Sequence, residues 1–432
     1  MYIIDTNECI SNPILYIIRN GDLMNLMKVS DIDEAQNVLY DCIKNISGST
    51  LRVNTADSLN KIIAEDLYAT ENVPSFRRST VDGYAVVSSD VSVASESIPV
   101  FLKVKDEVKM GKPAVVEISR GECVYVPTGG AVPEGADAMV MIEYTEKLGE
   151  NRISVFQSAA KGTDIVNIGE DVKEGQPLIK KGTAVTPQII GVLCAAGFDK
   201  INIFSPLKIA VISTGNELIS PQEKATPGKI RNVNTYSISA QAEKIGYEVF
   251  ATRVISDDKE KIMSSVNELK SKADIICISG GSSKGKKDFT AQIIDESGDP
   301  GTLIHGLSVK PGKPTIIGYD SNTETIMAGL PGHPVSSFMI FELLFGNLFR
   351  KYTNSESPNP YFAKMSQNLA GSPGKTTCIP VKLIRHETEY IAQPAFGKSG
   401  LISTLSNADG YIVIDKNDEG INKGEAVTVY TI

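Results

Sequence analysis

Acidic side chains recur beside glycine, serine or threonine at turn-forming points along this sequence. Asp82 lies in Ser79-Thr80-Val81-Asp82-Gly83-Tyr84-Ala85, and Asp171 in Gly169-Glu170-Asp171. Glu217 closes Ser213-Thr214-Gly215-Asn216-Glu217, Asp257 and Asp258 follow Ser256, and Asp288 ends a run that begins Ser279-Gly280-Gly281-Ser282-Ser283. Carboxylates without accompanying histidine or thiolate suit a hard divalent cation such as Mg2+, which in turn suits phosphate or diphosphate. Lysines form separate groups: Lys284, Lys286 and Lys287 in the Gly-rich run, and Lys310 and Lys313 in Val309-Lys310-Pro311-Gly312-Lys313-Pro314. Glycines let a backbone approach an oxyanion closely, and lysines hold such an anion as point charges. The Gly-rich run therefore reads as an anion-binding loop through Gly280, Gly281 and Ser282, although its spacing is not that of a Walker A loop. Bottom-up, the residues indicate a phosphorylated ligand with a metal ion, and no reaction.

Plainer readings stand beside these. Asp257 and Asp258 read first as helix caps. The segment from Pro127 and Thr128 to Gly135 reads as a hairpin turn, as do the Asp82 segment and Gly169-Glu170-Asp171. His333 reads as a helix-start residue. With only three histidines, His305, His333 and His386, neither a zinc site nor a serine–histidine relay is expected. Six scattered cysteines without a C-x-x-C pair fit structural thiols in a reducing compartment.

The elements that must position these residues follow from hydrophobic patterning. Helical spacing is expected from about residue 29 to 72, opening at Ser30-Asp31-Ile32-Asp33-Glu34, and again over 185–196. Between residues 73 and 156 short β runs broken by Gly and Pro indicate an all-β module. From Lys208 strands and helices alternate: strand 208–213, helix 237–245, strand 248–254, helix 258–270, strand 274–278. That is the pattern of a parallel sheet covered on both faces. The sheet is expected to end with strand 325–328, the Gly329-Leu330-Pro331-Gly332 turn and a buried helix over 334–349. Beyond about residue 354 the pattern returns to β. In such sheets ligands bind at the carboxyl ends of strands, where the motifs at Glu217, Asp257, Gly280 and Pro331 fall.

Bulk properties bound the function. A chain of 432 residues exceeds one ordinary core, and 41% hydrophobic against 22% charged residues marks a globular protein. A net charge of −9 with no basic stripe argues against nucleic acid as partner. The N-terminus is acidic where a secretory signal would be basic, so a cytoplasmic location is expected, with no membrane association.

Eight segments, taken in order, resemble the molybdopterin molybdenumtransferases, a family that includes the C-terminal part of gephyrin. They are STVDGYAV, PTGGAVPEGADAMVMIE, GEDVKEGQPLIKKGT, ISTGNEL, ISGGSSKGKKDFT, VKPGKP, GLPGHPVS and GKSGLISTLSNADGYIV. The resemblance implies an α/β multidomain protein. Its parts would be an N-terminal extension (1–25), a helical linker domain (26–72 plus 161–205), an inserted β domain (73–160), a doubly wound, mainly parallel molybdopterin-binding domain (206–353) and a C-terminal β domain (354–432).

The resemblance further implies insertion of molybdenum from molybdate into adenylated molybdopterin, with release of AMP and Mg2+ as cofactor. Asp82, Thr128, Asp171, Glu217, Asp257 and Asp288 match functional positions of the family, and Asp82, Glu217 and Asp288 are the expected metal ligands. Gly280, Gly281, Ser282, Lys310, Lys313, Pro331, Pro334, Ser336 and Ser399 match its pterin or molybdate segments. A homodimer with the site shared between subunits is implied, with molybdopterin adenylyltransferase and acceptor molybdoenzymes as candidate partners. The family commonly has an acid where Asn232 stands, and a basic residue where His305-Gly306 stands. Two other readings stay open: a molybdopterin adenylyltransferase, which shares the α/β domain, and a non-catalytic pterin-binding or scaffold paralogue.

Overall fold

Lys208–Thr214, an almost unbroken β-branched and apolar run, forms strand β1, buried on both faces as a central strand requires. The computed structural model describes residues 16–19, 22–25, 29–44, 49–280, 289–357, 359–395, 397 and 400–432. The chain divides into two compact units, residues 1–51 with 204–432, and residues 52–203.

In the first unit, α1 (Ile32–Ile43) starts at Asp31, whose carboxylate accepts the Glu34 N–H at 2.8 Å and meets the Lys416 ammonium at 2.9 Å. After β1 come α2 (Asn234–Ile245), β2 (Glu248–Ile255), α3 (Lys259–Lys270), β3 (Ile275–Ser279), α4 (Phe289–Ser297), β4 (Pro300–His305), β5 (Ile316–Asp320) and β6 (Thr325–Leu330). They make one sheet in the order β2-β1-β3-β6-β5-β4. The first four strands run parallel; β5 pairs antiparallel with β6, and β4 pairs antiparallel with β5. In chain order the sheet closes with β6, as expected, while two strands that were not expected, β4 and β5, extend it beyond β6.

Alternate residues of the central strands face opposite layers. Ala210, Ile212, Ile276 and Ile278 pack with Ile262, Val266 and Leu269 of α3 and Ile293 and Ile294 of α4. On the other face α2 covers β1 and β2 and packs against α5 (Pro334–Phe341). This is the doubly wound arrangement expected.

The helix that begins with α5 continues through a π segment, Glu342–Gly346, into α6 (Asn347–Thr353). It is buried along most of its length, and α1 packs on its last part. Among the described residues no helix is long and apolar enough to cross a membrane. After α6 a six-stranded β sheet is built on Tyr361–Met365, Thr376–His386, Glu389–Pro394, Gly410–Ile414 and Ala426–Thr431, and Val309–Lys310 joins it as a parallel edge.

The second unit holds a six-stranded sheet formed by Gly83–Val86, Val100–Glu107, Glu122–Val126, Ala138–Met141, Thr145–Lys147 and Arg152–Val155. The helical character expected for 26–72 and 161–205 is only partly present. Among the described residues of those stretches it is confined to α1, a 3-10 turn at Thr55–Asp57 and a helix at Pro187–Ala195. The remainder is extended because its backbone pairs at long range: Asn60 N–H donates to Val185 O, Ile63 to Thr183, Ala64 to Asn202, and Ala69 to Gln176. Tertiary pairing overrides a local pattern of this weak kind.

One buried ion pair pins the edge of the α/β layer. Lys270 at the end of α3 meets Asp320 at the end of β5 at 2.9 Å, with the Asp320 side chain only 4% exposed. The Lys270 ammonium also donates to Ser297 O, and the carboxylate accepts from Thr323 and Asn322. Burial pushes the Asp320 carboxyl up, but Lys270 and the Thr323 hydroxyl outweigh it and hold the group below its ordinary value of 3.8. Asp320→Ala would leave Lys270 without its counter-ion, at an expected cost of about 3–5 kcal/mol read from the denaturant midpoint. A lowered carboxyl stabilises the fold above its unfolded value and loses that effect as pH falls through the folded value. The gap between wild type and variant should therefore hold from neutrality down to about 3.8 and narrow below it; a gap under about 1 kcal/mol would place the pair with ordinary surface bridges.

Candidate functional site

Strands β1, β3 and β6 lie side by side and parallel, so Ser213-Thr214-Gly215, Ser279-Gly280 and Leu330-Pro331-Gly332 leave the sheet at one end. The side chains there are polar yet buried, and most are paired. Asn232 donates through Nδ2 to Thr235 Oγ1 at 2.8 Å, and the Thr235 hydroxyl bonds Ser213 Oγ at 2.6 Å. Asn234 donates through Nδ2 to Ser279 Oγ at 2.7 Å and to Gly332 O at 2.9 Å, and Ser279 donates to Pro331 O at 3.3 Å. The first turn of α2 thus holds all three strand exits.

Gly280 has φ +115, and a β-carbon there would sit 2.3 Å from Thr214 O and 2.7 Å from Thr214 Oγ1. Only glycine fits this close approach of two loops. Gly332 is adjacent as well, since a β-carbon on it would lie 3.8 Å from Gly280 Cα. The Thr290 hydroxyl at the start of α4 bonds Gly280 O at 2.9 Å.

Three acids, Asp257, Asp258 and Glu217, lie on the loops that leave β1 and β2. Asp257 Oδ2 accepts the Asn216 N–H at 3.2 Å, and Asn216 Oδ1 accepts the Asp257 N–H at 3.2 Å, tying the exits of β1 and β2 together. Asp258 is the N-cap of α3, accepting from Glu260 and Lys261 N–H, and those bonds together with the Lys261 side chain hold its carboxyl below the ordinary range. The capping expectation thus holds for Asp258, while Asp257 bonds across the loop instead. Glu217 is exposed, and its carboxylate folds over Gly215, whose β-carbon would lie 2.7 Å from Oε1. Among the described residues Glu217 makes no ion pair.

The proline-rich turns are held rigidly. Lys310-Pro311 is cis, and a β-carbon on Gly312 would meet Ile340 of α5 at 2.3 Å. Lys310 and Lys313 are exposed, and the Lys310 ammonium donates to Ser372 Oγ at 3.1 Å. Pro334 opens α5 with His333 at its N-cap position, as expected, and Ser336 is buried in the first turn. Gly281, Ser282, Lys284, Lys286, Lys287, Asp288 and Ser399 lie outside the described residues.

Within the second unit, Asp82 Oδ1 accepts the Thr128 N–H at 2.8 Å, so two of the expected positions meet on one exposed rim of the β sheet. Asp171 is exposed, in a turn whose N–H donates to Val73 O. Neighbouring Glu170 accepts the Asn167 N–H at 2.8 Å, and that bond, with the Asn167 amide, holds its carboxyl below the ordinary range.

Of the three acids expected on a metal, Glu217 belongs to the first unit, Asp82 to the second, and Asp288 lies outside the described residues. No three His, Cys, Asp or Glu among the described residues form a metal-binding group. Cys42, Cys123, Cys277 and Cys378 are free and buried, and burial pushes their thiols up, which fits structural thiols.

Sequence reasoning missed the buried set formed by Ser213, Thr235, Asn234 and Ser279. The available signal was a hydroxyl ending each of two apolar strands, together with Asn-Val-Asn-Thr at a helix start. Gly280→Ala is expected to destabilise the fold by about 1–3 kcal/mol, because the new methyl meets backbone that cannot swing away. An unchanged thermal midpoint would show that the two loops are not locked together.

The comparisons with known proteins bear on the whole chain. Residues 30–197 match the family described as MoeA N-terminal region (domain I and II), residues 210–351 the probable molybdopterin binding domain, and residues 363–432 the MoeA C-terminal region (domain IV). The molybdopterin molybdenumtransferase of Bacillus subtilis is 31% identical over 93% of this chain and 94% of its own length. That of Haemophilus influenzae is 29% identical over 92% and 97%. Two crystal structures of a molybdopterin biosynthesis MoeA protein from Pyrococcus horikoshii superpose with TM-score 0.77 at 32% and 29% identity. Each covers 94% of this chain, and they are covered over 99% and 100% of theirs. The eight segments, the doubly wound sheet and these near-full-length likenesses agree: the chain belongs to the molybdopterin molybdenumtransferase family.

Proposed function

We propose that this protein inserts molybdenum from molybdate into adenylated molybdopterin and releases AMP, as a step of molybdenum cofactor biosynthesis. The observation that carries the reading is the near-complete cover of this chain by relatives named for that activity. The geometry supports it: three parallel strand exits meet at one end of a sheet, where loop backbone and helix starts can receive an anionic ligand.

The charge arrangement suits two kinds of anion. Molybdate is a tetrahedral dianion and a substrate, and Lys310 and Lys313 stand on a rigid turn that loses little freedom on receiving it. The diphosphate of the adenylate needs its charge offset, which an Mg2+ ion supplies when bound. The donor chemistry fits such an ion, since Glu217 is an exposed carboxylate outside any ion pair among the described residues. Any remaining ligands would come from water and substrate phosphate, as is usual for Mg2+. Glu217, with Asp82 and Asp288, would hold it.

In the reaction a water oxygen bonds to the phosphorus of the molybdopterin phosphate while the bridging bond to AMP breaks, and the leaving AMP carries away the bridging oxygen. The reading extends to Asp171, Asp257 and Thr128 as catalytic positions and to Gly280, Gly281, Ser282, Pro331, Pro334, Ser336 and Ser399 as cofactor-binding positions. It further comprises a homodimer with a shared site, a cytoplasmic location, and exchange with molybdopterin adenylyltransferase and acceptor molybdoenzymes.

The test is to incubate purified protein with adenylated molybdopterin, Mg2+ and molybdate. AMP release with molybdenum-loaded cofactor is expected. ATP consumption with free molybdopterin would instead mark an adenylyltransferase, and binding without turnover a scaffold. Asp288→Asn should keep the native molecular mass and abolish AMP release; undiminished release would remove the metal assignment.

A further inference from the structure

Asn234 is an unusual residue for the place it occupies. It is the first residue of α2, 8% exposed, and the preceding residue Val233 provides no side-chain cap. An asparagine near a helix start ordinarily bonds its own backbone or water. Here the amide turns away from its helix and donates both hydrogens elsewhere, to Ser279 Oγ at 2.7 Å and to Gly332 O at 2.9 Å. The second acceptor is a carbonyl, which requires that the atom facing it be the amide nitrogen.

The other end of the same amide is unpaired. Asn234 Oδ1 is buried and has no hydrogen-bond partner among the described residues. Burying a carbonyl oxygen without a donor works against stability. A residue kept for packing alone would do better as an apolar side chain of similar size, and departures of this kind collect at functional sites.

The two acceptors belong to different chain segments. Ser279 ends β3 and feeds the Gly-rich loop; Gly332 lies in the turn between β6 and α5, which carries Pro331 and Pro334. Ser279 also donates to Pro331 O at 3.3 Å, so one amide and one hydroxyl set the exits of β3 and β6 against each other.

We propose that Asn234 is a positioning residue for the reaction: it fixes the Ser279-Gly280 exit of β3 relative to the Pro331-Gly332 exit of β6, so that both exits receive the adenylated pterin together. The inference rests on the reading given under Proposed function. Asn234 touches neither reacting phosphorus nor molybdenum in this role; it acts through the loops it holds. Its loss therefore weakens ground-state and transition-state binding alike and appears chiefly in KM and Kd.

The test compares the full-length wild type with Asn234→Asp, Asn234→Ala and Ser279→Ala. Asn234→Asp keeps the shape and removes both donors; Ser279→Ala removes the shared hydroxyl with little change of volume. Adenylated molybdopterin is the probe, with Kd from titration and KM and kcat from AMP release. Both Asn234 variants are expected to raise Kd and KM at least about tenfold, with kcat lowered less than threefold. Ser279→Ala should raise them less, and Asn234→Ala combined with Ser279→Ala should be no worse than Asn234→Ala alone, because the two act as one unit.

A merely structural role would lower kcat through loss of folded protein and leave KM unchanged, and that result overturns the inference. Should Asn234→Ala fail to fold, Asn234→Asp and Ser279→Ala decide on the same criterion. If the wild type itself does not bind the probe, the functional reading and this inference fall together. If it binds and Asn234→Asp binds equally well, the inference alone falls.

Discussion

Three apolar strands that end side by side must each hand their chain to a loop without leaving buried polar groups unpaired. β1, β3 and β6 are almost wholly buried up to their ends, where each hands the chain to a loop. Ser213, one residue before the end of β1, and Ser279, the last residue of β3, both find partners on the first turn of α2. A helix start thus serves as the clamp for strand exits, while Asn232 Oδ1 accepts the Thr235 N–H of its first turn. The contact between Gly280 and Thr214 then follows, because loops held at their roots this closely tolerate only glycine at Gly280.

Charge is arranged around this frame in two groups. Acids sit on the loops that leave β1 and β2, where Asp257 is tied by Asn216 and Glu217 is exposed. The exposed lysines 310 and 313 sit on a turn packed against α5 through Gly312 and Ile340, at the edge of the following β sheet. With an overall charge of −9 the protein's general field does not attract anions. Under the proposed function, capture of a dianion would depend on local lysines and backbone N–H groups.

Much of this was legible beforehand because it is local. The β1 run, the alternation of strands with helices, the glycine motifs and the helix after Pro334 all announce themselves within windows of ten to fifteen residues. What escaped was non-local. Residues 55–72 carry apolar groups at spacings compatible with a helix, yet their backbone bonds go to residues 172–202. β4 begins Pro300-Gly301 and β5 contains Gly318, so both look like loop until β6 supplies a hydrogen-bonding edge. Polar pairs such as Asn234 with Ser279 and Lys270 with Asp320 join residues 45 and 50 positions apart, and no periodicity reports them.

Asn232 shows how the meaning of a substitution depends on what surrounds it. Seen in the sequence alone, an amide where the family commonly has an acid is the loss of a charge. In the structure Asn232 is 4% exposed, its Oδ1 accepts the Thr235 N–H at 3.3 Å, and its Nδ2 donates to the Thr235 hydroxyl. That donation commits the Thr235 hydrogen to Ser213 Oγ, so the hydrogen bonds run in one direction from helix start to strand end. A carboxylate there would have to accept from Thr235 on both counts, reversing the chain, and would sit as a buried charge with no cation described beside it. The amide satisfies the same two groups of Thr235 without that penalty. The amide thus preserves the clamp on β1, while Glu217 and Asp257 carry negative charge on the loops that leave β1 and β2.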